Sequence, residues 1–417
     1  MYGQHILADG TTACMIPLLT GRERTELPST FKSDPNGTFV DQAYPFIWND
    51  LHKLGYMSYH MEDWPQWSAF TYQLRGMSNR SAHHYLRAYQ MNLWDRVSQA
   101  YKAKKDDYCI GTIKRHKKAL NLIDEFIDTY RARDKNRIAI MHYIENSHDG
   151  NERVGHMDDD LFEFLSENNK NGRFENTAIF LYADHGARYS SERLKPQGYV
   201  EERSPFFSVY LPESFRKAYP QKYEHLVRNS QQVTTALDVY ATLRELSCLG
   251  EGIPKGNPLR SLSLLGNIPA ERSCADTGIS LHYCICELDW IEISLKSEIS
   301  VKASQFLISY INELTSPVEE YCARLSLDEL FYVRMLKKKD SVFYKLSWST
   351  RPNAATYEAF ITTDSSDSRG FSVSEEGGSI SRTNSYGRQP DCLLGLPPSK
   401  KLKTDLRKFC FCAKIKN

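Results

Sequence analysis

The chain has 417 residues, of which 41% are hydrophobic and 12% aromatic, so global disorder is excluded. Its 53 Lys and Arg residues face 52 Asp and Glu residues, and this formal charge of +1 excludes a protein whose whole surface attracts nucleic acid. No apolar run reaches the roughly 18 residues of a membrane span, and the first residues lack the basic start and apolar stretch of a signal peptide.

Strand-like and helix-like segments alternate through the first half of the chain. Apolar spacing predicts helices at 46–54, 83–101, 120–130, 158–165 and 233–246, and strands at 54–60, 137–144, 177–183 and 206–211. This alternation indicates βαβ units and an α/β domain over residues 1–286, with a mostly parallel sheet flanked by helices. Ligand sites in such sheets lie beyond the carboxyl ends of the strands.

After about residue 287 the pattern changes to a helix at 299–314 and strands at 341–349 and 356–362, which predicts a small α+β region over 287–417. Residues 364–388 are rich in Ser, Gly and charge and are predicted to form a flexible loop. Seven of the ten cysteines follow residue 270. Their Cys-x-Cys pairs match zinc-ligand spacing poorly, so disulfides and an exported protein are favoured.

Two acid–histidine pairs follow predicted strands. Asp184 and His185 come directly after the strand at 177–183, and Gly186 lets the chain turn away. His148 and Asp149 follow the strand at 137–144. A carboxylate and an imidazole side by side can hold a divalent metal, and two such pairs at one sheet edge are typical of two-metal hydrolytic sites. The alternatives are a capping aspartate in a turn and an ordinary loop histidine.

A hydroxyl-bearing segment, Asp9–Gly21, precedes the first predicted helix. A threonine at a helix start can act as a nucleophile when a metal lowers the pKa of its hydroxyl, and the helix amides help to hold the anion that it attacks. Without such a metal the segment would be an ordinary helix start.

These motifs together resemble the alkaline-phosphatase superfamily, which includes sulfatases, nucleotide pyrophosphatase/phosphodiesterases and phosphoethanolamine transferases. The resemblance lies in Thr12 followed by Thr20-Gly21, in Asp184-His185-Gly186, and in 199–207. Within the superfamily, nearly the whole chain resembles an uncharacterised animal extracellular family, a domain of unknown function. The stretches that match this family are 17–21, 45–48, 62–65, 84–87, 147–149, 182–188, 268–274, 282–286 and 380–387.

The resemblance implies that Thr12 is the nucleophile. In the phosphodiesterase branch this threonine is followed by Phe, Pro and Asn, whereas Ala13, Cys14 and Met15 follow Thr12 here. The resemblance also implies a first metal held by an N-terminal Asp, Thr12, Asp184 and His185. No strand fits in the eleven residues before Thr12, and Asp9 is too close in sequence to serve as that Asp. The resemblance therefore predicts an α-β domain truncated at its N-terminus, without its first strand and one metal ligand.

A second metal would be held by His148, Asp149 and the late His282. The alternative for His282 is a histidine in a disulfide loop between Cys274 and Cys284. Mixed His and Asp ligation suits zinc, with manganese or calcium as other divalent metals.

A metal-dependent phosphoester hydrolase or phosphotransferase, acting on a small anionic substrate, is the function that the resemblance implies. A sulfatase would need Cys-x-Pro-x-Arg, which 14–18 do not provide. The altered sequence after Thr12 favours an alternative, a catalytically inactive member that serves as an extracellular binding protein. Sequons at Asn36 and Asn79 are compatible with an extracellular glycoprotein. No nucleic-acid partner and no membrane span are expected, and the oligomeric state is open.

Overall fold

The structure is a computed structural model of the chain. It describes residues 1–102, 108–148, 150–189, 191–248, 259–286, 289–338, 341–363, 370–373, 380–385, 387–395 and 406–413. The chain divides into two compact units, of which the first comprises 1–32, 36–187 and 204–278 and the second 33–35, 188–203 and 279–417.

Helices and strands alternate along most of the described chain. The helices are α1 (Thr11–Thr20), α2 (Val40–Ala43), α3 (Ile47–Lys53), α4 (Arg87–Lys102), α5 (Arg115–Arg131), α6 (Asp158–Lys170), α7 (Pro196–Arg203), α8 (Glu213–Ala218), α9 (Pro220–Asn229), α10 (Ala236–Leu246), α11 (Cys274–Thr277) and α12 (Glu298–Thr315). The strands are β1 (Gln4–His5), β2 (Met57–Glu62), β3 (His84–Tyr85), β4 (Cys109–Ile110), β5 (Ile113–Lys114), β6 (Arg137–His142), β7 (Ile179–Tyr182), β8 (Phe207–Tyr210), β9 (Thr234–Thr235), β10 (Ile291–Glu292), β11 (Ser326–Lys338), β12 (Ser341–Arg351), β13 (Thr356–Thr363), β14 (Phe371–Val373) and β15 (Ile380–Arg382).

Small parallel sheets characterise the first unit. Strand β2 pairs in parallel with β3 and β6, and β1 pairs in parallel with β9. The mixed α/β class predicted from the alternation is confirmed. Strand β7, however, pairs antiparallel with β8, a direction that an apolar run alone does not specify.

The prediction that no strand fits before Thr12 is wrong, because β1 lies at Gln4–His5. Two residues are too few to show a period of two, so the strand is defined only by its partner β9, which is more than 200 residues away in the sequence. Asp9 lies between β1 and α1, two residues before Thr11.

Helix α1 lies in the core of the first unit, and every residue from Ala13 to Thr20 is buried. It ends at Gly21, whose φ of 66° is left-handed. A Cβ at Gly21 would lie 2.4 Å from the ring of Tyr240 on α10, so both the turn and the close packing of the two helices require glycine.

A fully buried ion pair ties the start of α10 to the segment that follows it. The guanidinium of Arg272 donates to both carboxylate oxygens of Asp238 at 2.8 and 3.0 Å, and both side chains are completely buried. Asp238 also caps α10 by accepting from the backbone N–H of Thr235.

Replacing Arg272 with Met is expected to destabilise the protein by about 3 kcal/mol, because the carboxylate of Asp238 would stay buried without its cation. Chemical denaturation of wild-type protein, Arg272→Met, Asp238→Asn and the double variant measures this coupling. If the two single losses simply add in the double variant, the pair has no specific interaction energy.

The second unit packs α12 against an antiparallel sheet. Strand order is β10-β11-β12-β13-β14, and β15 also pairs with β13. Strands β14 and β15 lie within 364–388, so the prediction of a flexible loop over that whole range is wrong. Each of these strands has only three residues and is specified by pairing with β13, which the Ser-rich composition does not reveal. The rest of the predicted loop includes 364–369, 374–379 and 386, which lie outside the described residues.

Disulfides hold the end of the second unit. Cys322 bonds to Cys410 and Cys392 bonds to Cys412, and Cys274 and Cys284 are also disulfide-bonded. The sulfurs of Cys322, Cys392 and Cys410 lie within 4.8 Å of one another, but all three are oxidised, so this spacing reflects disulfides rather than a zinc site. Among the described residues, no helix combines the length and apolarity needed to cross a bilayer.

A buried charge cluster in the second unit joins α7 to the sheet. Glu358 on β13 accepts from Arg203 at 2.8 Å and from the hydroxyl of Tyr332 at 2.5 Å. The ammonium of Lys345 lies 3.5 Å from the second Glu358 oxygen. Burial is the main reason that the pKa of Lys345 is lowered to about 7, and the nearby charges of Arg203 and Arg193 lower it further. The carboxylate of Glu358 acts in the opposite direction and raises this pKa.

Stability should therefore depend on pH through Lys345. Between about pH 7 and the ordinary lysine pKa near 10.4, the unfolded chain binds a proton that the folded chain does not, so stability rises with pH. We expect the unfolding free energy of wild type relative to Lys345→Met to rise by up to about 1.4 kcal/mol per pH unit in this window. Urea unfolding of both proteins at several pH values measures it, and a constant difference would contradict the assignment.

Candidate active site at the ends of strands β2, β6 and β7

Three strands of the first unit end in acidic or imidazole side chains. Glu62 is the last residue of β2 and His142 the last of β6, and the two are register partners in the parallel pair. Asp184 and His185 follow β7 after one intervening residue. Strands β2 and β6 are parallel neighbours, so Glu62 and His142 lie at the same edge of their sheet, and the contact between His142 and Asp184 brings the end of β7 to this edge.

The ring of His185 is held in one orientation by its neighbours. Its Nδ1 lies 2.7 Å from the carbonyl oxygen of Gly186, and because a carbonyl only accepts, Nδ1 carries the proton. A neutral ring of this tautomer would present a lone pair at Nε2. That atom lies 3.4 Å from Thr11 Oγ1 and 3.4 Å from Asp184 Oδ2.

Asp184 is the ionised centre of the site. Burial alone would raise the pKa of its carboxyl, but His185, His142 and Thr11 together hold that pKa well below its usual range. Its Oδ2 is buried and accepts no hydrogen bond from any described residue. A buried carboxylate oxygen that accepts no hydrogen bond is costly, so a further cationic or donor group is expected there.

His142 links Asp184 to a second carboxylate. Its Nε2 lies 3.9 Å from Asp184 Oδ1, and its Nδ1 lies 3.8 Å from Glu62 Oε1. Burial opposes protonation, but the two carboxylates outweigh it and raise the pKa of His142 to about 10. His60 completes the row, with its Nε2 3.9 Å from Glu62 Oε2. Burial lowers the pKa of His60, so it is neutral.

The donor set fits a zinc ion beside Thr11. Zinc–ligand bonds of roughly 2.0–2.1 Å at tetrahedral angles place neighbouring ligand atoms about 3.3 Å apart. The lone pair of His185 and the open oxygen of Asp184 are spaced in this way, and so are His185 and the Thr11 hydroxyl. Asp184 and His185 are residue types that zinc takes as ligands in proteins, and the Thr11 hydroxyl lies beside them.

Thr11, rather than Thr12, faces this pair. Gly10 has φ 82° and ψ 161°, a conformation open in practice only to glycine, and it makes Thr11 the first residue of α1. The hydroxyl of Thr12 donates instead to the carbonyl of Ala69 at 2.7 Å. The Ala69 N–H donates to Glu62 Oε1 at 2.7 Å, so Thr12 anchors a neighbouring backbone segment.

The three predicted ligands of a second metal are His148, Asp149 and His282. The exposed ring of His148 lies 5.7 and 5.9 Å from the rings of Trp64 and Trp67. Asp149 lies outside the described residues. His282 belongs to the second unit, where it is buried and its Nε2 lies 2.6 Å from the hydroxyl of Ser381. These three roles remain predictions.

Sequence reasoning did not include Thr11, His60 and His142 in the site, and it did not carry over a role for Glu62. A partial signal was present for Glu62, which lies two residues after the predicted strand at 54–60. His142 lies within the predicted strand at 137–144, and only the observed end of β6 places it at the site.

Residues 1–330 match the family described as "Protein of unknown function (DUF229)". A comparison with curated proteins gave no match.

Proposed function

The chain belongs to the DUF229 family over its first 330 residues, and from this premise we propose that it is a metal-dependent phosphoester hydrolase or phosphotransferase. We assign it to the alkaline-phosphatase superfamily, with an alkaline-phosphatase-like first unit. The observation that carries this proposal is the convergence of Thr11 Oγ1, His185 Nε2 and the open Oδ2 of Asp184, with both distances to the imidazole at 3.4 Å.

Thr11 is the nucleophile of the proposed reaction. A bound zinc would be held by Asp184, His185 and Thr11, and it would lower the pKa of the hydroxyl and offset charge on the phosphoryl group. The Thr11 oxygen forms a bond to phosphorus while the bond to the leaving oxygen breaks, and the leaving oxygen takes up a proton. Water or an acceptor alcohol then takes the phosphoryl group, and the Thr11 oxygen regains a proton.

The surrounding chain favours the anionic substrate. Thr11 is the first residue of a ten-residue helix, and the amino-terminal end of a helix carries partial positive charge toward an approaching phosphoryl group. Protonated His142 lies between Asp184 and Glu62 and keeps both carboxylates ionised. The substrate is therefore a small phosphoester, and zinc is the proposed cofactor.

We also propose that the protein acts outside the cell. The disulfides of the second unit are stable in an oxidising compartment. The sequon residues Asn36 and Asn79 are both exposed, as glycosylation requires.

The function is tested by two measurements on wild-type protein and Asp184→Asn: zinc retained after dialysis, and turnover of an aryl phosphodiester. Bound zinc and turnover that both depend on Asp184 support a hydrolase. If wild-type protein neither retains zinc nor hydrolyses the phosphodiester, the alternative remains, which is an inactive extracellular binding protein.

A further inference from the structure

Asn146 is a buried side chain whose amide is not used within the fold. It is 3% exposed, and neither its Nδ2 nor its Oδ1 has a hydrogen-bond partner among the described residues. An amide buried without partners costs folding free energy, and nearly all buried polar groups in proteins are paired. Such a residue calls for a ligand that satisfies both its donor and its acceptor.

The loop that carries Asn146 continues β6 and is held by hydrogen bonds to Asp63, the residue after β2. It follows β6 four residues after His142, and backbone N–H groups of Ser147 and His148 both donate to the Ile144 carbonyl, at 3.0 and 2.9 Å, forming a tight turn. The carboxylate of Asp63, which directly follows Glu62, accepts from the Ile144 N–H at 3.0 Å.

Contacts on both sides of Asn146 orient it inward. Asp63 also accepts from the Glu145 N–H at 2.9 Å, and His148 packs on the rings of Trp64 and Trp67. Ser147 and His148 are exposed, whereas Asn146 is buried, so Asn146 is the residue of this turn that faces the interior at the edge where β2 and β6 end.

We propose that Asn146 binds the phosphoryl group of the substrate, with Nδ2 donating to a non-bridging oxygen and Oδ1 accepting from a phosphoryl hydroxyl. This inference rests on the proposed function of the site. A neutral amide suits this position because Glu62 and Asp184 already supply negative charge, and a third carboxylate would repel the substrate. An amide that both donates and accepts suits a phosphomonoester monoanion, whose phosphoryl group offers one hydroxyl as well as non-bridging oxygens.

Asn146→Leu tests the inference because leucine has nearly the shape of asparagine and no polar atoms. We expect the metal-free variant to melt at the same temperature as wild type or about 2–4 °C higher, since an unpaired amide is removed. Asn168→Leu is the matched control. Asn168 is equally buried, but its amide donates to the Phe164 carbonyl at 2.8 Å and accepts from Arg173 at 3.1 Å, so this variant should melt lower.

Inorganic phosphate is the probe. Added to zinc-loaded wild-type protein and to Asn168→Leu, phosphate at about 100-fold over its Kd should raise the melting temperature by about 5 °C. In Asn146→Leu this shift should vanish, and monoester kcat/KM should fall by about 100-fold.

Three results would overturn the inference. A full phosphate shift in Asn146→Leu would show that Asn146 holds a structural water only, while the proposed function would stand. A lower melting temperature of metal-free Asn146→Leu would show that the amide has a structural partner. Absence of any phosphate shift and of any turnover in zinc-loaded wild-type protein would overturn the proposed function together with this role of Asn146.

Discussion

Thr11→Ala should lower phosphodiester turnover by at least about 10³-fold, because it removes the attacking oxygen of the proposed reaction. The hydroxyl of Thr11, the first residue of α1, lies 3.4 Å from Nε2 of His185. Thr11→Ser keeps the oxygen and should retain much of the turnover. Steady-state kinetics with an aryl phosphodiester measures all three proteins.

Thr12→Ala is the matched control for this experiment. It should change turnover by less than about 10-fold and lower the unfolding free energy by about 1 kcal/mol, since it deletes the hydrogen bond to the Ala69 carbonyl. Trapping the phosphorylated enzyme and locating the phosphate by mass spectrometry gives an independent readout. Phosphate on residue 12, or a greater rate loss in Thr12→Ala than in Thr11→Ala, would refute the assignment of Thr11.

The difference between Thr11 and Thr12 illustrates the limit of sequence reasoning at this site. Consecutive residues of an α-helix point about 100° apart, so one residue in the register decides which hydroxyl faces the imidazole. The helix start that sets this register depends on the backbone of Gly10, with φ 82°, and the pattern of residue types does not encode that angle. The sequence therefore predicts the segment that carries the proposed nucleophile, but it does not predict whether the Thr11 or the Thr12 hydroxyl faces His185.

Asp184 and His185 were predictable because they follow a continuous apolar strand. His142 was not singled out, since it lies inside the apolar run 137–144 and only the strand end at His142 places it in the site. The partners of His142 show the same limit. Glu62 and Asp184, which contact His142, are 80 and 42 residues away from it in the sequence. At such separations, one sequence alone does not indicate which residues lie in contact.

Large elements with many apolar positions were predicted well, and short ones were not. Helix α5 and strand β12 repeat their periods over enough residues to be recognised. Strand β1 has two residues and β14 and β15 have three each, so their existence depends on distant pairing partners.

Asp184→Asn should abolish zinc binding as well as catalysis. The substitution keeps the shape of the side chain but removes the charge that faces His185 and His142, and loss of one ligand from a three-donor site lowers metal affinity severely. Asp160→Asn is the control, because this buried carboxylate is paired with Lys114 and His116. That variant should lose stability and keep its zinc.

The most direct test of the central claim is the zinc content of wild-type protein and Asp184→Asn after exhaustive dialysis, measured by elemental analysis. We expect about one zinc per chain in wild type and in Asp160→Asn, and less than about a tenth of that in Asp184→Asn. Equal zinc content in wild type and Asp184→Asn, or no zinc in wild-type protein supplied with the metal, would contradict a metal site formed by Thr11, Asp184 and His185.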